Sequence, residues 1–224
     1  MISKLLSGAI RLYLRSQTEK ADNLQVRIVG TSKQILQGCI PQVWLSCDRA
    51  IYQGLHLRQI ELQGSNIAVN LPEVVKQKPL RLLEPVFVEL QLQLDAEDLQ
   101  ASLNSPLLQS GLNDLWQMII AAQTDLELAQ LKVEWQQVYL AEGLLHLMGS
   151  YRDESDRTGQ LAIAMTISLV NAHALGIRPI QVRGLVDDQP MEEIKLDLGS
   201  DVAIKQLEIG TTAIECQGQL KINN

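Results

Sequence analysis

Residues 86–94 read Val-Phe-Val-Glu-Leu-Gln-Leu-Gln-Leu, and an apolar residue occupies every second position of this stretch. Because successive side chains of a β-strand point to opposite faces, the stretch predicts a strand with one apolar and one mainly polar face. The same alternation recurs at residues 24–28, 161–169 and 194–198. Strands of this kind are typical of antiparallel sheets that cover a core with one face. We therefore predict a mainly antiparallel β protein.

The alternation changes phase at Gln59–Ile60 and again between Leu128 and Leu131. A change of phase by one residue inside a strand is typical of a β-bulge, which bends and twists the sheet. The sheet is therefore predicted to be long and curved.

Two helices are predicted to interrupt the strands. Asp95 is a suitable N-cap for a short helix near residues 95–104, and Ser105 with Pro106 favours the start of a longer helix at residues 106–122. A short helical piece is also predicted at residues 73–77, after Pro72. The longer helix carries an apolar face at helical spacing, formed by Leu108, Leu112, Leu115, Trp116 and Ile119.

The N-terminal residues 1–20 are predicted to form an amphipathic helix whose polar face carries Lys4, Arg11 and Arg15. This basic face could contact an anionic membrane surface, or the helix could simply pack on the rest of the protein. Arg11 and Arg15 interrupt the apolar stretch that a cleavable secretion signal would need. No apolar run approaches the ~20 residues of a membrane-spanning helix. We therefore expect a cytoplasmic protein, or one bound peripherally to the cytoplasmic face of a membrane.

The composition favours one globular domain over residues 1–224, with the N-terminal helix at 1–20 and a sheet-rich body at 24–224. The chain is 46% hydrophobic and has a formal net charge of −7, which argues against a nucleic-acid partner. Its three cysteines form no Cys-x-x-Cys pair, as is typical of proteins in a reducing compartment.

The chain shows no motif that would carry catalysis. There is no glycine-rich phosphate loop and no G-x-S-x-G elbow, and the three histidines, His56, His146 and His173, lie far apart in the sequence. We therefore predict no enzymatic activity, no metal and no cofactor.

Five stretches, taken together in their order and spacing, resemble the LmeA-like phospholipid-binding family in the form common among bacteria with thylakoid membranes. They are residues 14–17 (LRSQ), 35–41 (ILQGCIP), 51–57 (IYQGLHL), 78–86 (KPLRLLEPV) and 103–108 (LNSPLL).

The resemblance implies a non-enzymatic protein that binds phospholipid, with a role in lipid transfer or membrane maintenance. It also implies an α+β fold similar to the tubular lipid-binding (TULIP) modules, in which a long curved antiparallel sheet wraps a long helix. The acyl chains of a bound phospholipid or fatty acid would lie in an apolar groove between that helix and the sheet. Carried onto this sequence, the groove would be lined by Val88, Leu90, Leu92, Leu108, Leu112, Leu115, Trp116 and Ile119. Contact with the membrane or a lipid headgroup would come from Lys4, Arg11, Arg15 and Arg81.

Two alternatives remain open at this point. The segment from Pro79 to Pro85 is either a stiff connector or a lid over a lipid entrance, with Arg81 beside a phosphate. The whole protein could instead be a scaffold with a filled core that recruits a partner through its N-terminal helix or a sheet edge. The lipid headgroup and the oligomeric state do not follow from the sequence.

Overall fold

The computed structural model describes residues 18–74, 81–121, 131–153, 156–184 and 193–223, together with Ser7 and Arg15. These residues form a β-rich α+β fold built from antiparallel strands and a few helices. Among them, no helix is long and apolar enough to cross a bilayer.

The strands form two sheets instead of the single long sheet that the sequence predicts. The first has six strands in the order β1-β2-β3-β4-β11-β10, and the second has five in the order β5-β6-β7-β8-β9. The first sheet comprises β1 (Lys20–Val29), β2 (Cys39–Tyr52), β3 (Leu55–Ala68), β4 (Val86–Asp95), β10 (Val202–Ile209) and β11 (Ala213–Ile222). The second comprises β5 (Lys132–Ala141), β6 (Leu144–Arg152), β7 (Thr158–Asn171), β8 (Ala174–Arg183) and β9 (Ile194–Asp197).

The four helices of the described residues are α1 (Ser32–Leu36), α2 (Leu71–Val74), α3 (Ala96–Ala101) and α4 (Pro106–Ala121). The helices predicted near 95–104 and 106–122 are confirmed as α3 and α4, and the helical piece predicted after Pro72 falls in part on α2. At 1.5 Å per residue the 16 residues of α4 span about 24 Å.

The alternating stretches predicted as strands lie within β1, β4, β7 and β9, except that Leu198 falls one residue beyond the end of β9. The predicted boundary between N-terminal helix and sheet is wrong, because β1 already begins at Lys20, which pairs with Ile51. Asn23 has a positive φ of 52°, and the register of β1 shifts around it. Because of this irregularity, the first residues of β1 do not alternate regularly, and the sequence pattern does not show them as part of the strand. Of the N-terminal helix itself, only Ser7 and Arg15 are described, and both are helical.

The bulge predicted at Gln59–Ile60 is also wrong. Gln59 and Ile60 pair in continuous register with β2 on one side and β4 on the other. Residues with positive φ lie elsewhere in these strands, at Asn23 of β1, at Arg49 of β2 (48°) and at Asn66 further along β3 (53°). The second predicted change of phase, between Leu128 and Leu131, reaches outside the described residues.

Helix α3 joins the two sheets through side-chain hydrogen bonds. The fully buried Ser102 hydroxyl accepts the His56 N–H of β3 at 2.7 Å and donates to the Asp98 carbonyl at 2.6 Å. On the other side, the Gln100 amide oxygen accepts the Val138 N–H of β5 at 2.8 Å, and its nitrogen donates to the Gln136 carbonyl at 3.4 Å. The sheets also meet directly, since the Ile204 N–H of β10 donates to the Ala172 carbonyl beyond β7 at 2.7 Å.

Candidate functional site

Helix α4 begins where the sequence predicts. The Ser105 hydroxyl accepts the Leu108 N–H at 3.2 Å, and Pro106 occupies the first helical position, where no N–H donor is needed. The buried side of the helix packs on the second sheet. Its buried residues are Leu112, Leu115, Trp116, Ile119 and Ile120.

The predicted groove residues fall into two groups in the structure. Those on α4 share one apolar core with buried residues of β5 to β8, with Leu108 packed at its margin. Val88, Leu90 and Leu92 lie on β4 in the first sheet and are absent from that core, although Leu94 of the same strand contacts it. The structure therefore does not bring the helix residues and these three β4 residues into one cluster.

The three β4 residues belong to a broad apolar face of the first sheet. Leu90 pairs with Leu62, which pairs with Leu45, and Leu92 pairs with Ile60 in the same way. Val88 is buried, whereas these leucines and Ile60 are only half-buried. The first sheet therefore keeps an apolar face that is only partly covered.

An apolar groove of about 500 Å³ runs beside α4, between the helix and the β8–β9 edge of the second sheet. Leu115 is the one residue of the predicted set that lines it. The volume falls within the usual range of small-molecule sites, roughly 300 to 1,000 Å³. The groove is lined by Gly111, Asp114, Leu115, Gln117, Met118, Ala121, Ile177 and Leu196.

Sequence reasoning missed most of these lining residues, although a signal for them exists. Gly111, Leu115 and Met118 recur at helical spacing, as a second stripe beside the buried face of α4. A Cβ added at Gly111 would meet no atom within 4 Å, so the groove is open at this point of the helix. Leu196 lies on a strand that the alternation pattern does predict.

The other depressions in the described surface have a different chemistry. The largest, of about 720 Å³, has charged residues such as Lys132, Glu134 and Arg152 in its wall. Another, of about 340 Å³, lies on the polar face of the first sheet, and five of its ten lining residues are glutamine or glutamate. Hydrocarbon gains less from such mixed walls, because their polar groups would lose water without gaining partners. Lining chemistry therefore favours the smaller groove beside α4 over the largest depression.

The core beneath the groove holds two tryptophans in edge-to-face contact. The rings of Trp116 and Trp135 lie 6.4 Å apart at 81°. Both indole N–H groups are buried and have no hydrogen-bond partner among the described residues. The surroundings of α4 on this side are therefore strongly apolar.

Of the predicted headgroup residues, the two that the structure describes, Arg15 and Arg81, do not line the groove. Arg81 is exposed near the end of β3, and Arg15 is exposed close enough to favour ionisation of the Cys47 thiol. Lys4 and Arg11 lie outside the described residues. Within the described ranges, no three His, Cys, Asp or Glu side chains are grouped so that they could hold a metal ion.

Two of the three cysteines, Cys47 and Cys216, have thiols of low reactivity. Burial, reinforced by the nearby carboxylates of Asp48 and Asp22, raises the pKa of the Cys47 thiol, and burial raises that of Cys216. The Cys47 thiol also donates a hydrogen bond to the Asp22 carbonyl at 3.3 Å. A raised pKa keeps a thiol in its unreactive protonated form at neutral pH, so neither residue is poised as a nucleophile.

The described residues thus define a β-rich α+β protein that offers an apolar groove beside its longest described helix. Residues 1–219 match the family model of LmeA-like phospholipid-binding proteins. The chain belongs to this LmeA-like phospholipid-binding family. No curated protein and no solved structure matches it significantly.

Proposed function

We propose that the protein binds a phospholipid without catalysing a reaction, and that an acyl chain lies in the groove between α4 and the β8–β9 edge. The observation that carries the proposal is an apolar groove of about 500 Å³ in a member of a phospholipid-binding family. Leu115, Met118, Ile177 and Leu196 supply aliphatic walls. Each methylene group taken from water into such a site contributes about 0.8 kcal/mol.

The half-buried face of the first sheet is the second apolar surface available to the lipid. Leu90 and Leu92 lie there with Leu45 and Leu62. We propose this face, together with Val88, as a second contact for acyl chains, separate from the groove beside α4. The arrangement of curved sheet around helix would then be TULIP-like, within a single lipid-binding domain.

The proposal includes a peripheral membrane role in lipid transfer or membrane maintenance. Lys4, Arg11 and Arg15 of the N-terminal segment, and Arg81, are the proposed contacts to headgroups. The cytoplasmic location expected from the cysteine pattern stays a prediction.

Native mass spectrometry with lipid extraction tests the proposal directly. Protein purified without detergent should carry phospholipid in stoichiometric amount, and the extract should identify its headgroup. An empty protein that also ignores added phospholipid would contradict the proposal and favour the scaffold alternative.

A substitution at Gly111 tests the position of the groove. Gly111→Phe places a ring where a Cβ meets no atom within 4 Å, so it should fill the groove without distorting the helix. We expect lipid occupancy, measured by native mass spectrometry, to fall at least about fivefold while the melting temperature is retained.

Asn113→Phe is the matched control, because Asn113 is exposed on α4 but does not line the groove. It should leave lipid occupancy unchanged. Equal occupancy in wild type and Gly111→Phe would place the lipid elsewhere.

A further inference from the structure

Five large apolar side chains are unusually exposed at one end of the first sheet. They are Val29 (40% exposed), Leu36 (54%), Leu83 (59%), Phe87 (54%) and Ile222 (44%). We name this group the apolar tip. Single exposed apolar residues are common on protein surfaces, but a group of this size marks an interaction site.

The strand register places these residues at the same end of the sheet. Phe87 pairs with Lys221 and Val86 with Ile222, where β4 begins and β11 ends, so Phe87 and Ile222 lie on opposite faces of the sheet at this end. The Leu83 N–H donates to the carbonyl of Ala68, the last residue of β3, at 2.8 Å. Val29 ends β1, and α1 with Leu36 follows directly. All five therefore lie at the end of the sheet opposite to the one where β4 leads into α3.

Helix α1 presents Leu36 from a rigid base. Its neighbour Ile35 is completely buried, and Thr31 and Gln34 form a capping box at the helix start. Gly38 follows with a φ of 83°, and its carbonyl accepts the Val69 N–H at 2.8 Å. A Cβ at Gly38 would lie 2.1 Å from the Val69 carbonyl oxygen, so this position requires glycine. The exposed leucine is thus held outward by a well-fixed turn.

The segment that carries Leu83 is fixed as well. Asn70 is buried, and its side-chain oxygen accepts the Arg81 N–H at 2.7 Å. The Asn70 N–H in turn donates to the Arg81 carbonyl at 3.2 Å. These bonds hold Arg81 and Leu83 beside the end of β3, with both side chains exposed.

The charges at the tip differ from those of the whole chain. The chain has a net charge of −7, yet the exposed Lys33 and Arg81 both lie at the tip and form no ion pair within the part of the chain that the structure describes. Lys221 is partly neutralised by Asp201 at 3.8 Å, and the carboxylates of Glu73 and Glu84 are also exposed at this end of the sheet. Two unpaired cations beside protruding apolar side chains match the chemistry of a membrane interface with anionic headgroups.

We propose that the apolar tip docks on the surface of a phospholipid bilayer. Leu36, Leu83 and Phe87 enter the boundary between headgroups and acyl chains, and Lys33 and Arg81 lie at the level of the phosphates. Exposed apolar side chains flanked by cations are the combination that binds a lipid interface with anionic headgroups. The contact is distinct from the groove beside α4, whose lining residues all lie in α4, β8 and β9.

Vesicle co-sedimentation of the full chain tests the proposal. The triple variant Leu36→Ser, Leu83→Ser, Phe87→Ser should bind mixed phosphatidylcholine and phosphatidylglycerol vesicles about tenfold more weakly than wild type. The control triple variant is Tyr139→Ser, Met148→Ser, Val170→Ser, which removes comparably exposed apolar residues (40%, 38% and 48%) from the second sheet. It should bind like wild type.

The charge contribution is tested separately with Lys33→Gln, Arg81→Gln. This variant should weaken binding to the mixed vesicles and leave binding to pure phosphatidylcholine vesicles unchanged. Circular dichroism confirms the fold of each variant, and native mass spectrometry reports the lipid carried in the groove. Because that lipid should be unchanged in the tip variant, failure of the tip proposal is distinguishable from failure of the groove proposal.

Three results would overturn the proposal. Wild type could fail to bind either kind of vesicle, or the tip variant could bind as well as wild type. The control variant could also lose as much binding as the tip variant. A concentration-dependent dimer that only the tip variant abolishes, without vesicle binding, would assign the surface to a second copy of the chain.

Discussion

At the scale of single residues, the three cysteines illustrate how position sets reactivity. Cys39 is exposed, whereas Cys47 is buried and Cys216 is half-buried. The pKa of the Cys47 and Cys216 thiols is raised, mainly by burial. Thiolate is the reactive form, so the less ionised and less accessible thiols react more slowly.

We therefore expect iodoacetamide at mildly alkaline pH to label Cys39 well before Cys47 and Cys216. Peptide mapping by mass spectrometry measures the three rates, and unfolding in urea should make them similar. Faster labelling of Cys47 than of Cys39 in the folded protein would contradict the burial that the structure shows.

The raised pKa values of these two thiols also make the stability of the fold depend on pH. The folded state holds these two protons more tightly than the unfolded state, whose thiols titrate near the ordinary value of 9.0. Their contribution to the free energy of unfolding is therefore complete below that pH and is lost as the pH rises through the folded-state values.

At the scale of elements, α4 combines a buried face with a glycine that its packing does not need. Gly111 lies inside the helix, and a Cβ there would meet open space. Glycine in a helix interior costs roughly 0.8 to 1.0 kcal/mol relative to alanine. The absence of a side chain at Gly111 therefore leaves space in the groove but lowers the stability of the helix.

Gly111→Ala should accordingly raise the free energy of unfolding by about 0.8 kcal/mol, measured by urea denaturation. A single methyl group fills little of a groove of about 500 Å³, so lipid occupancy should persist. A loss of stability would mean that this part of the helix is more crowded than the structure shows.

The elements themselves were largely predictable from local patterns. Ser105 and Pro106 mark the start of α4, and the alternation of residues 86–94 marks β4. The position of the irregular backbone was not predictable, because it depends on the left-handed conformations of Asn23 and Arg49. Neither residue type requires a positive φ, so nothing local in the sequence reveals it.

The candidate site was predictable only in part, for a related reason. The apolar face of α4 is readable from its spacing, but which sheet it packs against depends on the pairing of distant strands. The family resemblance suggested Val88, Leu90 and Leu92 as partners of the helix, whereas the structure places Ile177 and Leu196 across the groove from α4.

At the scale of the whole molecule, the groove beside α4 and the apolar tip belong to different sheets. The groove is lined by α4, β8 and β9, whereas the tip lies at one end of the first sheet. The apolar tip lies where β4 begins, and the groove lies beyond α3, which follows the end of β4. The ten residues of β4 alone span about 33 Å in an extended strand. Variants at the two sites should therefore act independently.

Deleting residues 1–16 tests the remaining proposed membrane contact, which includes Lys4, Arg11 and Arg15. Every residue that lines the groove lies between Gly111 and Leu196, so we expect the truncated protein to keep its lipid in native mass spectrometry. Weaker vesicle binding would assign a membrane contact to the N-terminal segment. A truncated protein that loses its circular dichroism signal would show instead that this segment belongs to the core.

The side-chain amide of Gln100 has a consequence for self-association. Strand β5 is the outermost strand of its sheet, and an open strand edge is a template on which another chain can polymerise. Gln100 already occupies the Val138 N–H and the Gln136 carbonyl on that edge. A neighbouring copy would have to displace both bonds before adding a strand. Even when copies of this protein are crowded together on a surface, fibril growth by strand addition at this part of β5 is therefore hindered.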